Sequence, residues 1–544
     1  MAPIASLRRW LHDEVTRLPA GWVALAGVGA LACFRTLIGA VAALRPPPRS
    51  PSASEESRQS SAVTASAIIP GAEDAALAEL RHNVSGPGMS ISKAAQQLRA
   101  IIHFVDSHQH ALVAAMHADL GQPEGEVIPQ LLDVRRWAVT ALKCIRSWNA
   151  PERDRSFSPL VWPSRKGVVY EPRGIVLITV AWNAPIILAL KPAVSALAAR
   201  NACILKINFD ASPTVARLFE KLIPTVFDPH FVKVVSMQYA TDKAAMDALI
   251  DNPSTKVDKL LFVGSTAVGR MLYEQASKHF IDVCLELGGQ NPALISHDAD
   301  LAVAARHIVL GRMFACGQAC FAPNTIYVEE QASDAMKRQL VHVLEHFFGR
   351  QENGAYRSNA QIASGRTKRV QELLSQTTGK ILAGGEVNID HRRVEPTIVE
   401  VENDSDVLIQ EEIFAPIVVI KRVQSVDEMI DSIAGADARP LVASIWTRNR
   451  HLKTKFMAHV RAGGIVVNGN PAFSYIANVP FGGNGSSGLG KQHGLHGIRE
   501  FQHAKGTVEK IRSPWLPSFV HDPPLLFPPY TASKMRLLNF SRFL

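Results

Sequence analysis

The chain has 544 residues, 47% apolar and 20% charged, which excludes disorder for most of its length and suggests two to four domains at ~100–200 residues each. Its six cysteines (Cys33, Cys144, Cys203, Cys284, Cys316 and Cys320) form no C-x-x-C pair, which argues against a disulfide scaffold or a metal site and fits a reducing compartment. The net charge of +9 draws on both ends, and no dense basic stripe with interleaved aromatics lies between them, so a nucleic-acid partner is not expected.

After a short tail (1–17), residues 18–44 are apolar except for Arg35. As one helix these 27 residues would span about 40 Å, enough to cross a ~30 Å hydrocarbon core with tilt. A transmembrane anchor is the first reading, with Arg35 reaching toward the interface. A buried or interfacial helix and an Arg-rich mitochondrial transit peptide are the alternatives. Residues 45–73, rich in Pro and Ser over 46–63, read as a flexible linker.

From Asp74 to Ala150 apolar residues recur at mostly three- and four-residue steps (Leu77, Leu80, Ile91, Leu98, Ile101, Ile102, Val105), a helical rhythm. Short β-branched runs then alternate with helix-length segments: Ile175–Val180, Ala202–Ile207, Leu260–Val263 and Val283–Leu287. A second set follows at Thr325–Val328, Ile417–Ile420, Val442–Trp446 and Ile465–Val467. Such alternation predicts two α/β lobes with parallel strands buried on both faces, and a ligand crevice between them.

Several residues then invite a chemical reading. Gly264 to Gly269 (GSTAVG) follows a strand and opens a helix, as a phosphate-receiving helix N-terminus or as a plain tight turn. Cys320 stands at a strand–helix junction, either a nucleophile or a small buried hydrophobe. Glu286 interrupts an apolar strand, where burial would raise its pKa as a general base requires, unless it lies at a solvated strand end. Asn183, at the C-terminal end of a strand, can donate to an oxyanion or simply form a turn. Residues 480–490 hold five glycines in eleven positions, so that loop either makes a close approach or is flexible.

The order and spacing of these pieces resemble the NAD(P)-dependent aldehyde dehydrogenase superfamily from about residue 75 to 510. The matching blocks are Trp182-Asn183, Leu197-Ala198-Ala199 with Asn201 leading to Lys206, Phe262 to Gly269, Leu285 to Gly289, Gly317 to Cys320, Glu411 to Phe414 and Pro480 to Gly483. Pro528-Pro529-Tyr530 followed by Lys534 is similar to the class with fatty-aldehyde enzymes, and the N-terminal extension resembles that of membrane-linked fungal members.

The resemblance implies a Rossmann-like cofactor-binding lobe at 74–287 and an α/β catalytic lobe at 288–490. Residues 491–544 return to the cofactor lobe, and short oligomerisation strands, one near 150–171, join a homodimer or larger assembly. It implies Cys320 as the nucleophile that forms a thiohemiacetal, Asn183 with the Cys320 N–H as the oxyanion hole, and Glu286 as the base for thioester hydrolysis. Lys206 would hold the adenosine ribose, Ser265 the pyrophosphate, Glu412 the nicotinamide ribose and Phe414 the ring. Trp182, Gly264, Gly269 and Leu287 complete the implied NAD or NADP contacts, and no metal is implied.

Four positions depart from the family pattern. Phe209, beside Asp210, stands where a carboxylate is common, leaving NAD against NADP open; Ala181, Gln290 and Ala415 replace Pro, Lys and Gly. Phe209, Ala181 and Ala415 motivate a rival reading as a cofactor-binding scaffold, whereas Glu286 argues for hydrolysis over CoA acylation. Cys316 would share a helical face with Cys320 if the helix continued that far. A sequon at Asn484, inside the Gly-rich block, puts the body in the cytosol or another reducing space. The expectation is an anchored enzyme for lipophilic aldehydes, its body in the cytosol at the endoplasmic reticulum, with the mitochondrion as the alternative.

Overall fold

The computed structural model describes residues 67–540 other than 157–160, 162, 240, 253–255, 352–355, 358–360, 364, 470–475, 477, 512–514 and 516–526. The expected tail, anchor and most of the linker lie outside the described residues. Among the described residues, no helix is long and apolar enough to cross a membrane.

The helical rhythm of 74–150 appears as three helices, Glu73–Val84, Ile91–Leu120 and Glu124–Trp148. The longest begins where the Ser90 side chain accepts the Lys93 N–H at 3.2 Å, which satisfies one of the N–H groups left over at a helix start. It ends at Gly121, where φ is +61°, a conformation that glycine adopts without a Cβ penalty. Its Leu98, Ile101, Phe104, Val105, Leu112 and Met116 are buried, and the helix packs against Glu124–Trp148 and the helix Pro185–Ala198.

The strands are, in chain order, β1 Ala67–Ile68, β2 Glu152–Asp154, β3 Ser164–Pro172, β4 Ile175–Thr179, β5 Ala202–Lys206, β6 Val232–Val235, β7 Lys259–Gly264 and β8 Asp282–Leu287. Six of them form a parallel sheet in the order β1-β6-β5-β4-β7-β8. Every residue of β4, β5 and β6 is buried, as helices on both faces require, and each fully buried Ile or Leu contributes ~1.5–3 kcal/mol. From β4 the chain winds outward to β5 and β6, then returns to place β7 and β8 on the other side. The strand order therefore reverses between β4 and β7, and a crevice opens beyond their C-terminal ends.

A second sheet, in the order β11-β14-β15-β10-β9-β16-β17, runs parallel except for its β11 edge. Its members are β9 Pro292–Ile295, β10 Thr325–Glu329, β11 Lys380–Ala383, β14 Thr397–Glu400, β15 Ile417–Val423, β16 Val442–Trp446 and β17 Gly464–Val467, while β12 Val387–Asn388 and β13 Arg393–Val394 make a small ribbon. Near the end of the chain, β18 Gly488–Leu489 adds antiparallel to β8, and β19 Gln502–Lys510 pairs along all nine residues of β3, with β2 on the far side.

The strands outside the runs expected from sequence include β6 and β9 of the two large sheets. Lys233 sits in the middle of β6, but its side chain is 2% exposed and its ammonium reaches Glu79 Oε2 at 2.8 Å, so a buried strand reads as polar. The strand β9 is short and begins with a proline, which has no N–H to give to a ladder. A further difference is the helix before Cys320. It stops at Met313, and Ala315, Cys316 and Gly317 take φ of +50°, +57° and +73°, so Cys316 and Cys320 do not share a helical face.

Candidate active site

A cavity of about 440 Å³ occupies the crevice between the two sheets. One end is lined by Lys206, Asn208, Asp242 and Lys243, the middle by Gly264, Ser265 and Val268, and the other end by Trp182, Phe414, Glu286 and Cys320. A second cavity of about 70 Å³ lies beyond the cysteine, walled by Ile187, Leu188, Phe314, Phe321 and Phe481. Asn183, Glu286 and Cys320 line both. They come from the end of β4, from β8 and from the loop after Met313, so the fold brings together residues up to 137 positions apart (320 − 183).

Each is held differently. The Asn183 carbonyl accepts Gln122 Nε2 at 2.9 Å, its Nδ2 donates to the Gln318 carbonyl at 2.7 Å, and its Oδ1 has no hydrogen-bond partner. Glu286 is 3% exposed and its Oε1 is likewise unpartnered. Burial pushes its carboxyl up to about 8, against the opposing pull of Lys191 and Lys491. Lys191 rises from Pro185–Ala198 and is itself buried in an ion pair with Asp133 at 2.6 Å. Burial, then the charges of Glu286 and Glu412, push the half-buried Cys320 thiol above its ordinary range.

The loop bearing Cys320 is fixed at several points. Asn291 Nδ2 donates to the Cys320 carbonyl at 2.7 Å and the Ala322 carbonyl at 3.0 Å, while its Oδ1 accepts the Val442 N–H. Gln318 is buried and bonds Ala315, Gln361 and Ala363. The Ala315 N–H donates to Glu126 Oε2 at 3.0 Å. A Cβ on Gly317 would lie 2.2 Å from the Ala415 backbone, so glycine at 317 meets both a positive φ and a close approach. Ala415 is fully buried.

The cavity fits a dinucleotide on its own features. Ser265 caps the twelve-residue helix Thr266–Ser277, whose first turn holds no acidic side chain, leaving its N-terminus suited to a pyrophosphate. Gly264 cannot carry a side chain, because a Cβ would lie 2.3 Å from the Phe262 ring. A Cβ on Gly288 would collide with the Glu412 carboxylate at 2.1 Å. Burial raises the Glu412 carboxyl, opposed by the Gly289 N–H and by Arg312 and Arg366. The Trp182 and Phe414 rings meet edge to face at 5.7 Å, with the Arg366 guanidinium 5.8 and 5.6 Å from their centroids.

Trp182, Lys206, Gly264, Ser265, Glu412 and Phe414 thus line one cavity with Cys320. Gly269 and Leu287 are not among its lining residues. A Cβ on Gly269 would lie 2.5 Å from Leu287 Cδ2, so this pair seats the helix Thr266–Ser277 against β8. Among the described residues no cluster suits a metal ion.

Three residues at the site escape sequence reasoning. Asp242 forms an ion pair with Lys206, from a helix that no motif marks. Arg366 lies beside the two aromatics, its guanidinium about equally far from both rings. His493 lines the smaller cavity with its ring stacked 5.5 Å from Phe481 and its Nδ1 unpartnered, and burial holds its imidazole well below the usual range.

A model of the aldehyde dehydrogenase family matches residues 49–507. Aldehyde dehydrogenase family 3 member H1 of Arabidopsis thaliana is 34% identical over 453 residues, 81% of this chain and 89% of that protein. Aldehyde dehydrogenase family 3 member A2 of Rattus norvegicus is 32% identical over 424 residues, 76% of this chain and 84% of that protein. Among solved structures, the substrate-bound state of Staphylococcus aureus AldH matches with a TM-score of 0.78 at 26% identity, covering 87% of this chain and 100% of that one.

Proposed function

The chain belongs to the aldehyde dehydrogenase family, and from that premise we propose that it oxidises a lipophilic aldehyde to the carboxylic acid through a covalent adduct on Cys320, with NAD or NADP in the larger cavity. The observation that carries this reading is that Cys320, Glu286 and Asn183 line both cavities at once. A reacting carbon at that junction is open to the thiol, to a donor and to a base.

The Cys320 thiol gives its proton to water, and its sulfur, as thiolate, adds to the aldehyde carbon. The oxyanion takes hydrogen bonds from the Cys320 N–H and from the Asn183 amide, which has one N–H beyond that given to Gln318. A nicotinamide cofactor bound in this cavity would supply the hydride acceptor that the oxidation of the Cys320 adduct to a thioester requires. Glu286 then removes a proton from water as the water oxygen attacks the thioester carbonyl; the carbon–sulfur bond breaks and the acid departs. Ser265 and the N-terminus of its helix would hold the pyrophosphate, and Glu412 and Phe414 would hold the nicotinamide end.

The apolar wall of the smaller cavity, with Ile187, Leu188, Phe314, Phe321 and Phe481, supports an apolar substrate. The run at 18–44 supports attachment to a membrane, and the thiol chemistry together with the Asn484 sequon inside the Gly-rich block supports a body in the cytosol. The exposed strands β2 and β19 beside β3 support assembly of copies through that three-stranded sheet. The test is NAD and NADP reduction by the full chain in detergent with hexadecanal and propanal, beside Cys320→Ser. A higher kcat/KM for hexadecanal that vanishes in the variant is expected. Equal use of both aldehydes overturns the lipophilic substrate, and turnover by Cys320→Ser overturns the thiol mechanism.

A further inference from the structure

We infer that Asp242 decides between the two cofactors, admitting a free ribose 2′-hydroxyl and turning away a 2′-phosphate. The inference rests on the reading above that the larger cavity holds NAD(P). It begins from the end of that cavity farthest from Cys320, lined by Lys206, Asn208, Asp242, Lys243 and Asp247.

Asp242 is the hub of this end. Its Oδ1 forms an ion pair with Lys206 Nζ and accepts the Phe209 N–H at 3.3 Å, while its Oδ2 accepts Asn208 Nδ2 at 2.9 Å. The residue opens the helix Asp242–Ile250, whose Thr241 cap accepts the Ala244 N–H, so the carboxylate is anchored from its backbone as well as from its partners. It gives Lys206 a carboxylate partner that chain position 209, a phenylalanine, does not supply. Phe209 has instead laid its ring 4.5 Å from the Lys206 ammonium.

The consequence is electrostatic. A 2′-phosphate binds well only where an uncommitted cation meets it. Lys206 is 3% exposed, paired with Asp242 and covered by Phe209, and burial lowers its pKa while Asp242 and Asp210 oppose the shift. Lys243 is paired with Asp247. Among the described residues, the charged groups that line this end are Lys206, Lys243, Asp242 and Asp247, with Asp210 near Lys206; Lys206 is committed inside the protein and Lys243 is paired on its exposed face. A ribose hydroxyl can donate to the Asp242 carboxylate, whereas a phosphate dianion would face it as a like charge.

The test isolates this end of the cavity with two probes that differ only in the 2′-phosphate, 5′-AMP and 2′,5′-ADP. Calorimetric titration of the full chain in detergent is expected to show 2′,5′-ADP binding at least about ten-fold more weakly than 5′-AMP. In Asp242→Asn the gap should close to within about three-fold, from tighter 2′,5′-ADP and weaker 5′-AMP. Wild-type protein that binds 2′,5′-ADP as tightly as 5′-AMP overturns the inference without any variant, and so does a ratio unmoved in folded Asp242→Asn. If NAD, NADP and both probes all fail to bind folded wild-type protein, the cofactor reading of the cavity falls, and the inference with it.

Discussion

The two ends of the larger cavity treat polar groups in opposite ways. At the Lys206 end the polar groups are spoken for: the Asp242 carboxylate takes an ammonium, an amide and a backbone N–H. At the Cys320 end, Asn183 Oδ1 and Glu286 Oε1 are buried without partners. A buried polar atom left alone costs about 1–3 kcal/mol, so the fold carries a stability penalty at one end that it avoids at the other. The satisfied end is shaped to hold a ligand in one pose. At the unsatisfied end the free Glu286 oxygen can accept from a water, and the second N–H of Asn183, beyond that given to Gln318, can donate to an oxyanion.

If this contrast is right, substitutions at the Cys320 end should damage chemistry and spare cofactor binding. Cys320→Ser should lose on the order of 10⁴-fold in turnover with NAD affinity unchanged by titration; loss of both would break the contrast. Glu286→Gln should slow steady-state turnover by roughly 10²–10⁴-fold while retaining a first-turnover burst of reduced cofactor, since the base acts after hydride loss.

Glu286 also ties the site to pH. Its carboxyl is raised from 4.5 to about 8, so the catalytic base form accumulates only as pH rises through about 8, and the rate should climb over the same range. The native state binds this proton more tightly than the unfolded chain does. Its share of stability is therefore present at low pH and is lost as pH rises from about 4.5 to about 8. Glu286→Gln should accordingly melt higher than wild type at pH 9, with no such advantage at pH 4; equal melting at both would mean the carboxylate is not strained by burial.

Asn183→Ala should cost about 10²–10³-fold in kcat, with KM for the cofactor little changed. The smallest effect belongs to the cofactor half. Ser265→Ala removes the hydroxyl that accepts the Val268 N–H and should lower stability by about 1 kcal/mol, read from chemical denaturation, with only a modest change in turnover.

Much of this was readable in the chain. The runs at β4, β5, β7 and β8 are apolar and β-branched enough to announce buried parallel strands; Glu286 interrupts one of them, Asn183 follows the end of another, and Cys320 stands in a loop before β10, places where such residues need a reason. Where periodicity failed, a side chain had found a distant partner: Lys233 hides inside β6 because Glu79, 154 positions away, receives it. The left-handed turn at Ala315 and Cys316 leaves no trace in residue type, since neither is a usual choice for positive φ; it follows from Gly317 lying against Ala415 and from Glu126 holding the Ala315 N–H. Phe209 could be seen as a missing carboxylate, but no spacing rule points 33 residues onward to Asp242.

The wall shared by the two cavities also bears on inhibition. A compact apolar molecule seated among Ile187, Leu188, Phe321 and Phe481 would touch the thiol from the side opposite the cofactor, and raising NAD would not displace it. Its selectivity would be written in those four side chains, leaving alone the dinucleotide contacts that other oxidoreductases share. An electrophile carried on such a scaffold would reach Cys320 with the cofactor still in place.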